Sequence, residues 1–357
     1  MNKSEPTLQK KPTLRMIAQE LGVSVMTVSR ALNSHQSVSS RMRQKVLLKV
    51  RELGYDYRDA SRVIGSQREK RVAVFCSDQK LYDDWQCNIF MRLHYLLLKR
   101  LKSAGFESVL LDLSNKDDDL AKLAECGSLL ILGPFTDGRN TEDDLFAQVK
   151  TTYGHVNIIT VLGQGHDVLS VVPDDYGGGV MAARKIVAVG HSHVAVFSRK
   201  HETSYRRRFA GFAGEMFRLC PQARIDQLFI DQRDDSAEED QLRTEALDAF
   251  FAKQAHDLPT VFFALNCYMS AFLLNYLRAK HYDVPKDFSL FGYDNMDIIA
   301  NCTPDITRIY FDLKQLAYGA VTAVKMRLTE DRFIDNSTLV TPNEFIAGKT
   351  LGILGGK

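Results

Sequence analysis

The stretch LGVSVMTVSRALN, Leu21–Asn33, predicts a turn followed by a short amphipathic helix. Gly22 suits the left-handed end of a preceding helix, and Ser24 suits the cap of the next one. The helical spacing turns Val28 and Leu32 inward. The outer side of the helix then carries Val25, Met26, Thr27, Ser29 and Arg30. Because this face is neither a solvated charge stripe nor a buried seam, it predicts a surface that contacts a partner.

Two more helices are predicted on either side of this one. Thr13 is a good N-cap before LRMIAQEL, and a third helix is predicted to start after Ser39 or Ser40 and to stop at Gly54. The three helices would form a small unit joined by tight turns. Its predicted core consists of Ile17, Leu21, Val28, Leu32, Val46 and Val50.

The basic residues are concentrated near the N-terminus. The formal net charge of the chain is +2, but residues 1–70 hold 14 Lys and Arg against 6 Asp and Glu, and the remainder holds 32 against 38. A basic module on an acidic body indicates a polyanionic partner. The alternative is a solvated basic tail, but here the basic residues are interleaved with a periodic apolar pattern.

From Arg71 onward, short strands alternate with helices. The strands are rich in β-branched and aromatic residues, which is typical of parallel sheets covered on both faces, and the length of the region favours two such lobes. The predicted strands are RVAVFC, ESVLLDL, SLLILG, VNIITVLG, HVAVFS, DQLFI, TVFFAL and FSLFGYD. The predicted helices span 88–103, 117–125, 141–150, 177–189, 205–218, 236–254 and 268–280.

Several classes of protein are excluded by composition and motifs. The apolar runs are too short or too interrupted to span a bilayer, and the first residues lack the apolar region of a secretory signal. The six cysteines are scattered without CxxC spacing, which indicates reduced thiols. YGGGV (176–180) lacks the spacing of a phosphate-binding loop, and HSH (191–193) fits a structural role better than a metal site. We therefore expect a cytoplasmic protein, not an enzyme, with no cofactor, no metal and no membrane partner.

A resemblance to a known family lies in residues 13–55, TLRMIAQELGVSVMTVSRALNSHQSVSSRMRQKVLLKVRELGY. This stretch resembles the DNA-binding headpiece of the lactose/galactose-repressor family of bacterial transcription regulators, through the pattern T-L-x-x-I-A-x-x-x-G-V-S-x-x-T-V-S-R-x-L-N. The resemblance implies a helix-turn-helix whose second helix lies in the DNA major groove, where arginine pairs with guanine and apolar groups contact thymine methyls. The residues implied in DNA binding are Thr13, Ser24, Val25, Met26, Thr27, Ser29, Arg30, Asn33, Ser39 and Tyr55.

The family's hinge helix, P-N-x-x-A-R-x-L, has a counterpart in YRDASRVI (57–64). Arg62 is kept, and Ile64 stands at the position of the leucine that wedges into the minor groove; both are implied DNA contacts. Tyr57 in place of the proline and the anionic Asp59 are departures from the family pattern. The predicted organisation is therefore a disordered tail at 1–12, a headpiece at 13–56, a hinge at 57–70 and a body at 71–357.

The body resembles the same family in SVVPDDYGGGVMAARKIVAVGHSHVAVFS (170–198), in RRRFAGF (206–212) and in the long stretch 259–309. The resemblance implies an α/β fold with two periplasmic-binding-protein-like lobes of parallel sheets, joined by three crossovers around an effector cleft. We expect an N-lobe of about 71–168 and 303–331, and a C-lobe of about 169–302 and 332–350.

Polar residues at the ends of predicted strands indicate where the effector binds, because ligands of parallel sheets bind outside the carboxyl ends of the strands. The resemblance adds Arg208 as an effector-contacting donor. Cys267 stands where many sugar-responsive members have an acid, whereas Asp175 adds an acid elsewhere. Helix N-capping is the alternative role for each acid. The predicted effector residues are Asp78, Trp85, Phe90, Gly133, Arg208, Asn266, Cys267 and Asp294.

The sequence thus predicts a repressor of a carbohydrate-utilisation operon. Its partners would be a pseudo-palindromic double-stranded DNA operator, a second copy of the chain, with a tetramer left open, and a sugar-like effector. One alternative is a soluble sugar-binding protein without DNA function. Another is a regulator that responds to a nucleoside-like or phosphorylated metabolite.

Overall fold

The structure is a computed structural model that describes residues 13–32, 39–53, 67–76, 89–111, 116–133, 141–200, 202–230, 237–254, 257–294, 302, 304–329 and 336–354. The chain divides into two compact units, residues 1–68 and 69–357. The division falls inside the segment that we predicted as a hinge, 57–70.

In the first unit, the described residues between 13 and 53 form three short helices, as predicted. Helix α1 spans Leu14–Leu21, α2 spans Val25–Leu32 and α3 spans Ser40–Glu52. Their shared core consists of Ile17, Ala18, Val28, Ala31, Val46 and Val50. Leu21 packs against this core while only partly buried, and the side chain of Leu32 lies outside the described residues.

The second unit contains two six-stranded sheets, one in each lobe. The N-lobe sheet comprises β1 (Arg71–Cys76), β2 (Glu107–Leu111), β3 (Ser128–Leu132), β4 (Asn157–Val161), β5 (Leu169–Pro173) and β11 (Thr338–Thr341). The C-lobe sheet comprises β6 (His193–Arg199), β7 (Arg224–Ile230), β8 (Val261–Ala264), β9 (Ser289–Tyr293), β10 (Thr307–Phe311) and β12 (Asn343–Ile346). The strand orders are β11-β5-β4-β3-β1-β2 and β12-β10-β9-β8-β6-β7. The pairings are parallel except that of β10 with β12.

Helices cover both faces of each sheet, which buries strands that are apolar along nearly their whole length. They are α4 (Ile89–Ser103), α5 (Lys116–Ala121), α6 (Thr141–Thr152), α7 (Asp175–Ala188), α8 (Thr203–Leu219), α9 (Ala237–Lys253), α10 (Cys267–Ala279) and α11 (Leu313–Thr329). Helix α11 packs on α4, β4 and β5, and α10 packs on β8 and β9. Among the described helices, none combines the length and the apolar character that a membrane span requires.

The chain passes between the two lobes three times, through a single residue each time. Asp174 separates β5 from α7, Asp312 separates β10 from α11, and Pro342 separates β11 from β12. The Asp174 N–H donates to the Thr341 carbonyl at 2.9 Å, and the Asn343 amide donates to the Asp174 carbonyl. Two of the three crossovers are therefore hydrogen-bonded to each other.

The lobe boundaries predicted from the sequence need correction. We expected residues 169–302 and 332–350 in the C-lobe, but β5 and β11 pair with each other and β5 also pairs with β4, so both strands belong to the N-lobe sheet. We expected residues 303–331 in the N-lobe, but β10 pairs with β9 in the C-lobe sheet. The physical reason is that each crossover follows its strand instead of preceding it.

Four strands, β5, β10, β11 and β12, and helix α11 are absent from the sequence prediction. Most of β5 is the stretch SVVP (170–173), which is short and lies just before a run of glycines, as a turn would. It is extended because it pairs with β4 and β11 in the sheet. Strands β11 and β12 have four residues each and carry mixed polar side chains at sheet edges. Such short edge strands give little periodicity to detect.

Helices α7 and α8 cross closely because glycines lie at their contact. A Cβ atom on Gly179 would overlap the Arg208 carbonyl, and one on Gly211 would overlap the Tyr176 carbonyl. Only glycine permits such a close approach of two backbones. The crossing places Asp175, in the first turn of α7, beside Arg208 of α8.

Candidate functional sites

The first candidate site is the outer face of α2, whose position is set by local hydrogen bonds. Gly22 ends α1 in the left-handed region, with φ 64°. The Thr27 N–H donates to Ser24 Oγ at 3.0 Å, and the Ser24 and Thr27 hydroxyls lie 2.8 Å apart. Ser24 therefore caps α2, as its type and position predict. The cap and the turn fix the angle at which α2 presents its outer face.

Thr13 and Ser39 have the same capping role on the other two helices. The Met16 N–H donates to Thr13 Oγ1 at 3.3 Å, and the Met42 N–H donates to Ser39 Oγ at 3.3 Å. Each residue thus lies at a helix N-terminus, where backbone N–H groups also suit a phosphate oxygen. Their predicted contact with DNA remains a prediction.

The outer face of α2 exposes apolar side chains next to a cation. Val25 is 43% exposed and Met26 is 61% exposed, while Arg30 is exposed one turn further along. Large apolar side chains at this exposure are available to a partner surface. The arginine can donate a pair of hydrogen bonds to a guanine edge, and the apolar groups can contact a thymine methyl.

Several predicted site residues fall outside the described part of the chain. They are Asn33, Tyr55, Arg62, Ile64, Asp78 and Trp85, and in addition the side chain of Ser29. The hinge contacts and half of the predicted N-lobe wall are in this group, and they remain predictions.

The second candidate site lies in the C-lobe around Arg208. The Arg208 Nε donates to Asp175 Oδ1 at 2.8 Å, and Nη1 donates to the Leu265 carbonyl at 2.7 Å. The guanidinium carbon stands 4.0 Å from the Tyr293 ring centroid and 5.4 Å from that of Tyr205. Asp175 and Arg208 are only 5% and 4% exposed. In this structure the arginine is committed to partners within the chain.

Burial is the largest single effect on both members of this pair. It lowers the pKa of Arg208, but the Asp175 carboxylate together with Tyr293, Asp294 and Tyr205 outweighs it, and the net shift of the Arg208 pKa is upward. Burial raises the pKa of Asp175, against the opposing effect of Arg208. The Tyr293 hydroxyl is fully buried and has no hydrogen-bond partner among the described residues, and burial raises its pKa. The Tyr293 hydroxyl therefore stays neutral. The residue interacts with the Arg208 cation through the face of its ring.

Asn266 joins the same cluster through a tyrosine. Its Nδ2 donates to the Tyr205 hydroxyl at 2.7 Å, while its Oδ1 accepts the Met269 N–H at 2.8 Å and caps α10. Asp294 follows Tyr293 directly, with φ 101°, and its N–H donates to the Ile309 carbonyl at 2.8 Å. The structure thus brings Arg208, Asn266 and Asp294 to one end of the C-lobe sheet. We call this set, with Asp175, Tyr205 and Tyr293, the Arg208 cluster.

Three other predicted effector residues lie elsewhere. Phe90 and Cys267 are 9% and 3% exposed and lie in hydrophobic clusters, so their contact with an effector remains a prediction. Each lies in the first turn of a helix whose apolar side faces its sheet. Gly133 is buried at the end of β3, and its N–H donates to the Val161 carbonyl at 3.3 Å.

Three further residues of this region, Tyr205, Tyr293 and Glu202, were not predicted from the sequence. Tyr205 lies three residues before Arg208, so both fall on one side of α8, and this spacing was the available signal. Glu202 precedes α8 and pairs with Arg199 at 3.4 Å. Burial raises the pKa of Glu202, against the opposing effect of Arg199. It lines a narrow inter-lobe crevice together with Gln164 of the N-lobe.

The HSH motif holds the C-terminal segment to the C-lobe. His191 Nδ1 lies 2.8 Å from Thr260 Oγ1, and Nε2 lies 3.1 Å from both Ser289 Oγ and the Gly352 carbonyl. Because a carbonyl only accepts, the Gly352 contact assigns the proton of the neutral ring to Nε2. Across the described residues, no three His, Cys, Asp or Glu side chains converge as they would around a metal ion.

Two family models match the chain. One is described as bacterial regulatory proteins, lacI family, and matches residues 13–56; the other is a periplasmic binding protein-like domain and matches residues 183–351. The first match covers helices α1, α2 and α3. The second covers most of the C-lobe and the last two crossovers.

Curated relatives match nearly the whole chain. An HTH-type transcriptional regulator of Lachnoclostridium phytofermentans is 22% identical over 94% of this chain and 98% of its own length. The regulator DegA of Bacillus subtilis is 25% identical, with coverages of 86% and 88%. The regulator CelR of Thermobifida fusca is 27% identical, with coverages of 84% and 87%.

Solved structures share the fold. A CelR–cellobiose complex has a TM-score of 0.63 at 21% identity, covering 95% of this chain and 100% of that one. The lac repressor dimer bound to operator and the anti-inducer ONPF has a TM-score of 0.63 at 22% identity, with coverages of 96% and 100%. The relatives are transcription regulators and not enzymes. The headpiece match, the two-lobed body and these relatives together show that the chain belongs to the lacI family of bacterial regulatory proteins and is a DNA-binding transcription regulator.

Proposed function

We propose that the chain is a repressor that binds a pseudo-palindromic operator as a homodimer and releases it in response to a small effector. The observation that supports this most strongly is the outer face of α2, where Val25, Met26 and Arg30 are exposed on a capped helix. The site of action is the bacterial cytoplasm, and the regulated genes belong to carbohydrate use.

In this proposal α2 lies in the major groove. Arg30 reads a guanine, and Val25 and Met26 contact thymine methyls, which discriminate less sharply than hydrogen bonds. The hydroxyl and helix-start positions contact phosphate oxygens and fix the register. They are Thr13, Ser24, Thr27, Ser29 and Ser39, with Asn33, Tyr55, Arg62 and Ile64 as further contacts.

The effector acts on the Arg208 cluster. A hydroxyl-rich ligand at the end of the C-lobe sheet would meet Asn266 and Asp294, and it would compete with Asp175 for Arg208. Asp175 directly follows the crossover residue Asp174, so an exchange of partners at Arg208 acts on the connection between the lobes. An effector that favours one arrangement shifts the population toward it. A sugar-like effector is supported by the structural similarity to CelR, which was solved as a complex with cellobiose.

A homodimer is supported by an apolar edge of the N-lobe. Strand β2 ends the sheet, with β1 as its partner, and Leu110 on it is 53% exposed. Tyr95 on α4 is 64% exposed. An exposed apolar edge strand is a template for association with a second chain. A two-fold dimer would present two headpieces to two half-sites.

The test is selection of bound duplexes from a random DNA pool by the full chain. We expect an enriched pseudo-palindrome with half-sites about one or two helical turns apart. Failure to enrich any sequence from the pool would contradict the proposal and favour a sugar-binding protein without DNA function. Enriched single half-sites would contradict the dimeric part alone.

A further inference from the structure

Arg207 lies next to Arg208 on α8 but has a different environment. Successive residues of a helix are about 100° apart, so the two side chains leave α8 in different directions. Arg208 is 4% exposed and bonded within its cluster, whereas Arg207 is exposed and lines the inter-lobe crevice. The Arg207 guanidinium forms no hydrogen bond or ion pair with another described residue. A second cation therefore lies beside the Arg208 cluster without a fixed partner among the described residues.

The Asp175 carboxylate lines the same crevice. Its Oδ1 accepts from Arg208 Nε, and its Oδ2 accepts no hydrogen bond from another described residue. A carboxylate has acceptor sites on both oxygens, so Asp175 can take a second donor. Burial raises the pKa of Asp175, and Arg208 and, more weakly, Arg207 oppose that rise. Arg207 thus already acts on the Asp175 charge in this arrangement.

The walls of the inter-lobe crevice lie close together. Its volume is about 20 Å³, which is the space of about one water molecule. Glu202 also lines it, but Arg199 at 3.4 Å and the Tyr205 hydroxyl are bonded to that carboxylate. Among the described carboxylates of the crevice, Asp175 is therefore the one with an oxygen open to Arg207.

An exchange of partners at Arg208 would affect Asp175 directly. If Arg208 turned to an effector, Asp175 would keep its buried position and lose its counter-charge, which is strongly destabilising. The exchange becomes favourable only when another cation replaces Arg208. Arg207 meets this requirement, because it is charged, lines the same crevice and would leave no other partner among the described residues.

We propose that Arg207 is the substitute counter-charge of Asp175 and bonds to its carboxylate when Arg208 turns to an effector. Arg207 then holds the first turn of α7 while Arg208 changes partner. It is a positioning residue, since it acts on the effector through Asp175. Its part in the effector response rests on the proposed function, whereas its ability to replace Arg208 at Asp175 is a property of the folded body alone.

Thermal unfolding of the full chain, without DNA or effector, tests this replacement in a mutant cycle. Arg208→Gln removes the charge and keeps an amide that can donate to the Leu265 carbonyl, so Asp175 then depends on Arg207. Arg207→Gln alone changes an exposed side chain and should alter Tm by about 1 °C or less. Arg207→Gln/Arg208→Gln should lower Tm by about 3 °C or more beyond the sum of the two single losses.

Two further variants show whether the charge of Arg207 is the cause. Arg207→Lys/Arg208→Gln keeps a cation at the crevice and should show only the loss of Arg208→Gln. Arg206→Gln is the matched control, because Arg206 is a neighbouring exposed cation on α8 that is not among the described residues lining the crevice. Arg206→Gln/Arg208→Gln should show the sum of its single losses.

Additive losses in the Arg207 cycle would overturn the proposal, and so would the same excess loss in the Arg206 cycle or no recovery with lysine. If Arg208→Gln does not fold, the cycle is repeated with Arg208→Met. Failure of both to fold would also overturn the proposal, because Arg207 would then not replace the lost charge. An excess loss in a chain that enriches no DNA sequence would contradict the proposed function and leave the exchange at Asp175 standing.

Discussion

Arg208 has partners of three chemical kinds: the Asp175 carboxylate, the Leu265 carbonyl and the Tyr293 ring. A buried ion pair recovers its desolvation cost only when its geometry is good and its remaining hydrogen bonds are made. Here the short Nε–Oδ1 bond and the second bond to the carbonyl meet that requirement. The intact pair fixes the position of the first turn of α7 against α8 and adds little to the net free energy of unfolding. Removing only one of the two charges is costly, because the other is left buried without a partner.

Asp175→Asn should therefore destabilise the body strongly. The change leaves a buried guanidinium without its counter-charge, for which the expected cost is about 3–5 kcal/mol. Urea unfolding followed by circular dichroism measures this cost. As the matched control, Asp175→Asn/Arg208→Met removes both charges and should recover part of the loss. A single variant as stable as the wild type would show that the pair is not formed in solution.

The residues of the Arg208 cluster were only partly predictable from the sequence. Asn266 and Asp294 were predicted because they follow buried strands, and Arg208 because RRRFAGF resembles a family segment. Asp175 was noted as an additional acid, but its pairing depends on the crossing of α7 and α8, which no local pattern specifies. Tyr293 lay inside a predicted strand, and its contact with Arg208 depends on how α8 packs on the sheet.

At the scale of elements, the α7–α8 crossing depends on Gly179. Gly179→Ala would place a Cβ against the Arg208 carbonyl and force the helices apart. We expect a loss of about 1–3 kcal/mol, as for other overpacked sites. Gly214→Ala is the matched control, because the nearest atom to its Cβ is the Tyr176 hydroxyl at 3.8 Å. Chemical denaturation should show Gly214→Ala unchanged or slightly stabilised, and equal effects of the two changes would refute the close crossing.

The C-terminal segment should be held less firmly at acid pH because of His191. Burial lowers the pKa of His191 below its usual 6.5, against a smaller opposing effect of the Gly352 carbonyl. The unfolded chain therefore takes up this proton first as the pH falls. The stability contribution of the neutral ring is complete above about pH 6.5 and declines as the pH falls below that value.

Thermal unfolding as a function of pH, compared between the wild type and His191→Gln, isolates this contribution. The difference in melting temperature should shrink as the pH falls below the usual histidine pKa. A difference that stays constant across that range would show that the ring does not titrate as described.

Most elements with strong periodicity were predicted within a few residues, as in β1, β3 and α4. The four missed strands and α11 lie at or beside crossovers. Strands β11 and β12 pair with β5 and β10, which are far away in sequence, so pairing and not local pattern makes these two strands extended. The lobe boundaries moved for the same reason.

At the scale of the whole molecule, self-association should depend on the exposed N-lobe edge. Leu110→Lys/Tyr95→Lys places two charges on this edge and should shift a dimer toward monomer in sedimentation velocity. Val340→Lys, a change at the opposite edge strand β11, is the matched control, since Val340 is similarly exposed at 56%. If Val340→Lys alone abolishes the dimer, the interface lies at the β11 edge and not at the β2 edge.

The central claim is that the outer face of α2 reads DNA bases. It is tested most directly by fluorescence anisotropy on the selected operator and its single-base-pair variants, with wild type and Arg30→Ala. We predict a loss of about 1–3 kcal/mol on the operator and relaxed preference at one base pair, with other positions still discriminated. If Arg30→Ala keeps the same affinity and the same preference at every base pair, the claim is wrong.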